Sequence, residues 1–287
     1  MPNTNTYRFI FTTIVLFALS AIGFANINPS ISFPFEVING LTIIEAEIDG
    51  QSGRFLLDTG SDGVFIDGKV EQANHSVLTL GGEAKISTKS LGELKVGAYM
   101  HNDIEAQIIS LSPIEDHLGI DLNGIIGGHL FLPKIVIMDF KNSLITLSDK
   151  LTKYEKQNFE HRVAIQIVNQ VPVAKIRIEE QTFNFALDSG SSIHFIDSKL
   201  VKSLQGVKNL EESSTLKCLA NSNNKVQKVK IDNFFIGDAA FNNHNYLPRS
   251  FEQVNSELNI SLDGVLSLSQ LAKEKVVIDY RKGRLYF

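Results

Sequence analysis

The sequence predicts an all-β protein of two tandem β-barrel lobes, related by a pseudo-twofold axis and carrying a few short helices. The prediction rests on an internal repeat, on short strand-like segments in both of its copies, and on turn signals between those segments. With 287 residues, of which 43% are apolar, the chain is long enough for two lobes of ordinary domain size.

The first block of the repeat carries an acidic residue at the end of an apolar run. Ile44–Asp67 (IEAEIDGQSGRFLLDTGSDGVFID) aligns with Ala174–Asp197 (AKIRIEEQTFNFALDSGSSIHFID), which superposes Asp58 on Asp188 at an offset of 188 − 58 = 130 residues. Apolar positions, a polar turn, the acid and a closing Phe-Ile-Asp all coincide.

A second block repeats in the same order. Leu122–Leu147 aligns with Leu262–Phe287 at an offset of 264 − 124 = 140 residues, and a shorter pair around Gly97 and Gly237 shares that offset. Three matched blocks indicate a tandem duplication. A duplication predicts a pseudo-twofold axis, which brings equivalent residues together where the lobes meet.

Each copy is predicted to be mostly β. Short segments rich in Ile, Val and Phe alternate with turn signals such as DGQSG, FKNS and RKG, while DSKLVKSLQG and LSLSQLAKE predict short helices. The predicted layout has one lobe in 26–150 and a second in 161–287, joined by a polar, lysine-rich linker over 151–160.

The N-terminus predicts export to the periplasm or the exterior. Arg8 precedes a mostly apolar stretch that ends in Gly23-Phe24-Ala25, which is typical of a signal peptide over 1–25. An uncleaved anchor is the alternative, but the stretch is shorter than the roughly twenty residues of a spanning helix. No stable membrane span is expected after cleavage, and residues 26–40 leave room for a propeptide.

Composition argues against several other classes. The net charge of −5 and the absence of a basic cluster argue against nucleic-acid binding. Cys218 is the only cysteine, and the seven histidines form no His-Glu-x-x-His pattern, so we predict neither a metal nor a cofactor. The sequence also lacks a Gly-x-Ser-x-Gly elbow and a phosphate-binding loop. A glycosidase would need two acids at set separations, and the context of these two gives no reason to expect that.

The two repeated acids suggest a shared site. A strand that ends in Asp and continues into Thr-Gly or Ser-Gly presents its carboxylate at the strand tip, and glycine permits close approach there. If the axis places Asp58 beside Asp188, the two cannot both ionise cheaply and titrate as a pair that holds one proton. One carboxylate would then activate a water while the other donates a proton to a carbonyl oxygen. This is the arrangement by which aspartic proteases hydrolyse peptide bonds.

The sequence resembles the retropepsin/pepsin superfamily of aspartic peptidases, in a single-chain, two-lobe form similar to bacterial retropepsin-like proteins. The motifs Leu56-Leu57-Asp58-Thr59-Gly60 and Ala186-Leu187-Asp188-Ser189-Gly190 carry the resemblance, together with the downstream segment Ile125-Ile126-Gly127. The resemblance implies an acid-protease fold and an endopeptidase with Asp58 and Asp188 as its catalytic pair.

The resemblance also implies roles for the neighbours of both acids. Thr59 and Ser189 are expected to brace the two loops across the axis, beside Gly60 and Gly190. Ser61 and Ser191 match positions whose hydroxyl donates to a catalytic carboxylate. Such a donor lowers a carboxyl pKa, which predicts an acidic pH optimum.

Two features depart from the pattern or leave it open. Ser267 stands where the second lobe should have a glycine, and this departure favours the rival interpretation, a catalytically silent peptide-binding protein. The sequence leaves two alternatives for the flap: a retropepsin-like tip at Leu80-Gly81-Gly82-Glu83, matched in the second lobe by the polar turn Asn221–Asn224, or a pepsin-like flap carrying Tyr99.

Three further polar residues near the motifs have simpler interpretations. Asp62 and His194 are expected to face solvent or to orient neighbours rather than to catalyse, and His129 is expected at a helix start or on the surface. The protein is therefore predicted to be a monomeric endopeptidase that binds an extended peptide or protein substrate between its lobes. Since the duplication supplies both halves, a retropepsin-like dimer is unnecessary.

Overall fold

The protein is described by a computed structural model that covers residues 30–70, 73, 75–80, 82–215, 225–241, 244–271 and 274–287. The predicted signal peptide, Gly81, Cys218 and the turn Asn221–Asn224 lie outside the described residues. Within the described ranges, no helix is long and apolar enough to cross a membrane.

Both lobes consist mainly of strands, and the helices are short, which confirms the predicted all-β class. The first half contains β1 (Ile31–Ile38), β2 (Leu41–Ile48), β3 (Gln51–Asp58), β4 (Val64–Asp67), β5 (His75–Thr79), β6 (Gly82–Val96), β7 (Tyr99–Ile109), α1 (Ser112–Leu118), β8 (Gly124–Gly127), a 3₁₀ helix (Gly128–Phe131), β9 (Ile135–Asp139), β10 (Leu144–Ser148) and α2 (Lys153–Gln157).

The second half repeats this order. It contains β11 (Arg162–Val168), β12 (Val171–Ile178), β13 (Gln181–Asp188), β14 (His194–Asp197), α3 (Ser198–Ser203), β15 (Val207–Thr215), β16 (Lys225–Ile231), β17 (Phe234–Ile236), β18 (Ala239–Ala240), β19 (Asn245–Arg249), α4 (Glu252–Glu257), β20 (Gly264–Ser267), α5 (Leu268–Leu271), β21 (Lys275–Asp279) and β22 (Arg284–Tyr286). Helices α3 and α5 fall on the two segments that predict short helices.

The strands of the first lobe close into a barrel. Strand β2 pairs with β3, β3 runs parallel to β8, β8 pairs with β4, β4 runs parallel to β7, and β7 returns through β6 to β2. Because β3 and β8 are central, Phe55, Leu56 and Leu57 are buried on both faces, and this explains the continuous apolar run before Asp58.

The second lobe has the same strand order. Strand β12 pairs with β13, β13 runs parallel to β20, β20 pairs with β14, and β14 runs parallel to β19. Strands β16 and β17 occupy the place of β6, so β16 pairs with β19 and β17 pairs with β12. The two barrels place Asp58 and Asp188 at equivalent strand ends.

A sheet shared by both halves carries the pseudo-twofold axis. It runs in the order β1, β10, β9, β21, β22, β11, with every pairing antiparallel. At its centre Ile137 lies opposite Val277, and these are equivalent residues at the offset of 140. The axis therefore passes through this pair, as a duplicated chain requires.

The predicted linker is more ordered than its polar composition suggests. Thr152 caps α2 through a reciprocal capping box, in which its hydroxyl accepts from the Glu155 amide and the Glu155 carboxylate accepts from the Thr152 amide. Leu151 is buried with Ile135 and Tyr286 of the shared sheet. The connection is thus anchored to both halves at its first residue.

Candidate active site

Asp58 and Asp188 meet at the floor of the cleft between the lobes. Asp58 ends the buried strand β3 and Asp188 ends β13. Each strand is held in place by a parallel neighbour, β8 or β20, and this pairing sets where the carboxylate emerges. The two carboxyl groups lie within hydrogen-bonding reach of each other, and both line a cleft of about 1420 Å³. A pair separated by 130 residues in the chain therefore forms one site.

Thr59 and Ser189 lock the two strand tips together beneath the carboxylates. The Thr59 hydroxyl donates to the Leu187 carbonyl at 2.8 Å and accepts from the Ser189 amide at 3.0 Å. Reciprocally, the Ser189 hydroxyl donates to the Leu57 carbonyl at 2.7 Å and accepts from the Thr59 amide at 3.1 Å. Both side chains are fully buried, so these four bonds cross the lobe interface without competition from water.

The glycine of each motif is required by the carboxyl group of the other lobe. A Cβ at Gly60 would lie 2.9 Å from Cγ of Asp188, and one at Gly190 would lie 2.6 Å from Cγ of Asp58. The amide of each glycine also donates to the acid of its own motif, at 2.8 Å in lobe one and 2.6 Å in lobe two. Each glycine thus orients one carboxylate and makes room for the other.

The protein raises the pKa of both acids. Burial raises the pKa of Asp58. Hydrogen bonds from the Asp188 side chain and from the Gly60 amide offset part of this increase in pKa. Burial, repulsion by Asp58 and the hydrogen bond to Asp58 hold the pKa of Asp188 well above its usual range. The lowering expected from serine donors is therefore not the dominant effect, because the loss of hydration outweighs it.

The two motif serines differ in what they bind. Ser191 donates its hydroxyl hydrogen to the Ile193 carbonyl at 2.7 Å rather than to a carboxylate, which corrects the expected role of this serine. Ser61 accepts from the Gly63 amide at 3.3 Å, so its own hydrogen remains available. The sequence repeat alone predicts identical roles for the two.

Ser267 supports the second loop, although glycine occupies the equivalent position in the first lobe. At Gly127 a Cβ would lie 2.6 Å from the Gly63 carbonyl oxygen and 2.7 Å from that of Ser61. In lobe two there is room, and the Ser267 hydroxyl donates to the Ser191 carbonyl at 2.6 Å. The departure from the family pattern therefore leaves the loop anchored.

His194 is completely buried, so the expectation that it faces solvent is wrong and the orienting alternative fits. Its Nδ1 accepts from the Ser267 amide at 3.0 Å, and its Nε2 lies 3.3 Å from Nδ1 of His244. Burial, and then the neighbouring His244, lower the pKa of His194 to about 3. The ring is neutral above that pH.

Asp62 and His129 occupy the periphery of the first loop. Asp62 is exposed and lines the mouth of the cleft, as expected for a solvent-facing residue. His129 lies half-buried in the 3₁₀ helix Gly128–Phe131, near the helix start that the sequence predicts.

Tyr280 is a neighbour of the site that the sequence did not single out. Its hydroxyl lies beside Gly128, where an added Cβ would be 2.9 Å away, and the side chain is buried. Burial, and then the charge of Asp58, raise the pKa of Tyr280, which places the phenol near the first acid. The equivalent residue of lobe one is Phe140, so a comparison of the two copies could have revealed the additional hydroxyl.

A hairpin of the first lobe lines the cleft. Strands β5 and β6 pair from His75 with Ile86 to Thr79 with Gly82, so the paired ends of this hairpin flank the predicted flap tip. Leu80 packs against the apolar cluster of the second lobe around Phe251. The lining of the cleft includes Val77, Leu78, Thr79, Leu80 and Glu83.

Tyr99 does not serve this flap. It pairs with Val96 at the start of β7 and packs against His101 and Phe131, on a different part of the lobe from the cleft. The flap-tyrosine alternative is therefore wrong. Among the described residues, no group of three or more His, Cys, Asp or Glu side chains could hold a metal ion.

Two carboxylates braced across a pseudo-twofold axis, each from an Asp-Thr/Ser-Gly turn, define the site of the aspartic peptidase class. A family model described as aspartyl protease matches residues 44–130 and 174–268, one span in each copy of the repeat. The chain belongs to this family. No curated protein matches the sequence.

Proposed function

We propose that the protein is an aspartic endopeptidase that hydrolyses peptide bonds in the cleft between its lobes. The contact between Asp58 and Asp188 is the observation that carries the proposal. One carboxylate takes a proton from a water held between the two, while the other donates its proton to the carbonyl oxygen of the substrate. No covalent intermediate forms, because water attacks directly.

The cleft favours an extended peptide with apolar side chains. Strand positions on both sides present apolar groups to it, including Leu56 and Phe65 from one lobe and Phe195 and Val265 from the other. The hairpin β5–β6 supplies backbone groups that can pair with an extended substrate. We further propose that the enzyme acts as a monomer outside the cytoplasm, after cleavage of its N-terminal signal.

The pH dependence follows from the site. Activity needs the singly protonated pair, and the raised pKa values of both acids move this window upward from 3.8, the ordinary pKa of Asp. We expect a bell-shaped profile with its maximum at weakly acidic pH. A maximum well above neutrality would contradict this mechanism.

The decisive test is cleavage of a diverse peptide pool, analysed by mass spectrometry from acidic to weakly alkaline pH. The wild-type chain is compared with Asp58→Asn, Asp188→Asn and the matched control Asp62→Asn, which changes an exposed acid at the cleft mouth. We expect the first two changes to abolish cleavage, the control to retain it, and a statine-type inhibitor to block it. Equal background in all four proteins would support the rival interpretation, the silent peptide-binding protein.

A further inference from the structure

Equivalent backbone amides in the two lobes have different acceptors. In lobe one the Gly127 amide donates to the Gly63 carbonyl at 2.9 Å. In lobe two the equivalent amide, that of Ser267, donates to Nδ1 of His194 at 3.0 Å. Val64 occupies the place of His194 in lobe one, and its apolar side chain has no acceptor to offer.

This change releases a carbonyl beside the second acid. Ile193, the equivalent of Gly63, receives no bond from the Ser267 amide and instead accepts the hydroxyl hydrogen of Ser191 at 2.7 Å. In lobe one the Gly63 carbonyl is already satisfied by Gly127, and the hydrogen of Ser61 is left available. Each serine lies three residues after its aspartate, but only the Ser191 hydroxyl donates to the carbonyl two residues further on.

Ser191 is also held through its backbone. The Ser267 hydroxyl donates to the Ser191 carbonyl at 2.6 Å and lies 3.0 Å from the Ser269 hydroxyl, which in turn donates to the Gly40 carbonyl at 2.8 Å. This chain of bonds ties the loop to the first lobe. Rotation of the Ser191 hydroxyl towards Asp188 would leave the Ile193 carbonyl without its donor.

His194 is suited to keep this arrangement over the pH range of activity. The groups that face its ring are the Ser267 amide, His244 and Tyr246, and none of them is a carboxylate that would favour the imidazolium. Because Nδ1 accepts a hydrogen bond, the ring proton lies on Nε2. Protonation of Nδ1 would break the bond to Ser267.

We propose that His194 is a positioning residue that accepts the hydrogen bond of the Ser267 amide, so that the Ile193 carbonyl accepts its hydrogen bond from the Ser191 hydroxyl instead. The Ser191 hydroxyl then does not donate to Asp188. Asp188 therefore retains the proton of the pair while Asp58 is ionised. The inference rests on the proposed function, since it assigns the general acid and the general base of that mechanism. Asp58 also faces Asp62 and Tyr280, and Asp188 faces the amides of Gly60 and Gly190.

The first experiment follows the titration of the aspartates by NMR of chains carrying ¹³C-labelled Asp carboxyl groups, and it needs no substrate. Ser61→Ala is compared with Ser191→Ala. The two aspartates should lose their protons in two steps, a lower and an upper transition in pH. We expect Ser61→Ala to move the lower transition to higher pH by about one unit, which is the effect of losing one hydrogen bond to a charged group. Ser191→Ala should move neither transition, and equal shifts in the two variants would overturn the proposal.

The second experiment replaces His194 by valine, the residue found at the equivalent position, Val64, of lobe one. In His194→Val the Ser267 amide can return to the Ile193 carbonyl and release Ser191, so we expect the upper transition to fall by about one pH unit. Adding Ser191→Ala to that variant should reverse the fall. An upper transition that is unchanged in His194→Val would overturn the proposal.

The tautomer of His194 provides a test that does not depend on the folding of a variant. In ¹⁵N spectra of the unmodified protein we expect a proton on Nε2 and an unprotonated Nδ1 over the whole range of activity. A proton on Nδ1 would overturn the proposal. A chain that shows this tautomer and the serine asymmetry but cleaves no peptide refutes the proposed function alone, whereas an active chain with symmetric serines refutes only this inference.

Discussion

Replacing Thr59 by valine removes half of the bracing between the lobes without opening a cavity, because the two side chains have nearly the same shape. The change leaves the Leu187 carbonyl and the Ser189 amide without the partners that lie 2.8 and 3.0 Å away in the native protein. A buried polar group that loses its partner costs about 1–3 kcal/mol, so two such groups should reduce the free energy of unfolding by about 2–6 kcal/mol. Within the ordinary stability range of about 5–15 kcal/mol, all but the least stable domain would still fold.

Urea denaturation of the wild-type chain, Thr59→Val and the control Thr59→Ser measures this loss. The serine variant keeps the hydroxyl and removes one methyl group, so its loss should be about 1 kcal/mol. Peptide cleavage should fall in the valine variant and persist in the serine variant, because the hydroxyl sets the spacing of the carboxylates. If the free energy of unfolding of the valine variant were less than about 1 kcal/mol below that of the wild type, the claim that these bonds hold the site together would be refuted.

Three further predictions concern the glycines, the serine of the second loop and the charge of the pair. Gly60→Ala and Gly190→Ala should lower kcat by about a hundredfold or more, since each new Cβ displaces the opposite carboxyl group from its position. In urea denaturation Gly127→Ser should be much more destabilising than Ser267→Gly, because the first creates contacts of 2.6–2.7 Å while the second removes one hydrogen bond. Asp188→Asn should raise the melting temperature at neutral pH, because it removes a group whose charged form is disfavoured in the native state.

Each of these predictions has a clear contrary outcome. Full activity in both alanine variants would mean that the carboxylates have more room than the structure gives them. Similar stability of the two loop variants would mean that the lobes are interchangeable at this position. For Asp188→Asn, the raised pKa of Asp188 means that its contribution to stability is present below the unfolded pKa and is lost as pH rises through the folded pKa. A gain that appears only at strongly acidic pH would therefore contradict the sign of the shift.

Much of this architecture follows from the repeat. Aligning the copies placed both acids at strand ends, and the offset of 140 between Ile137 and Val277 is the register of the central strand pair itself. The capping-box pattern from Thr152 to Glu155 is also present in the sequence and marks α2, whereas polar composition alone predicts only a linker there.

The asymmetry between the lobes could not be read from the alignment. A pattern of residue types does not specify which acceptor a backbone amide selects, and at Ser267 that choice depends on a buried histidine reached from another strand. The same applies to Ser191, whose hydroxyl hydrogen is directed by the carbonyl left free at Ile193. Such choices depend on distances of a few tenths of an ångström, which spacing in the sequence does not determine.

The most direct test of the central claim is the titration of the two acids in the unmodified protein, followed through their carboxyl carbons beside the same titration in Asp58→Asn and Asp188→Asn. If they share one site and one proton, the unmodified protein should show two well-separated transitions, both above 3.8, and each single variant should show one transition at a different pH from either. Two overlapping transitions near 3.8, each unaffected by replacement of the other acid, would show that the carboxylates do not interact and would contradict the account.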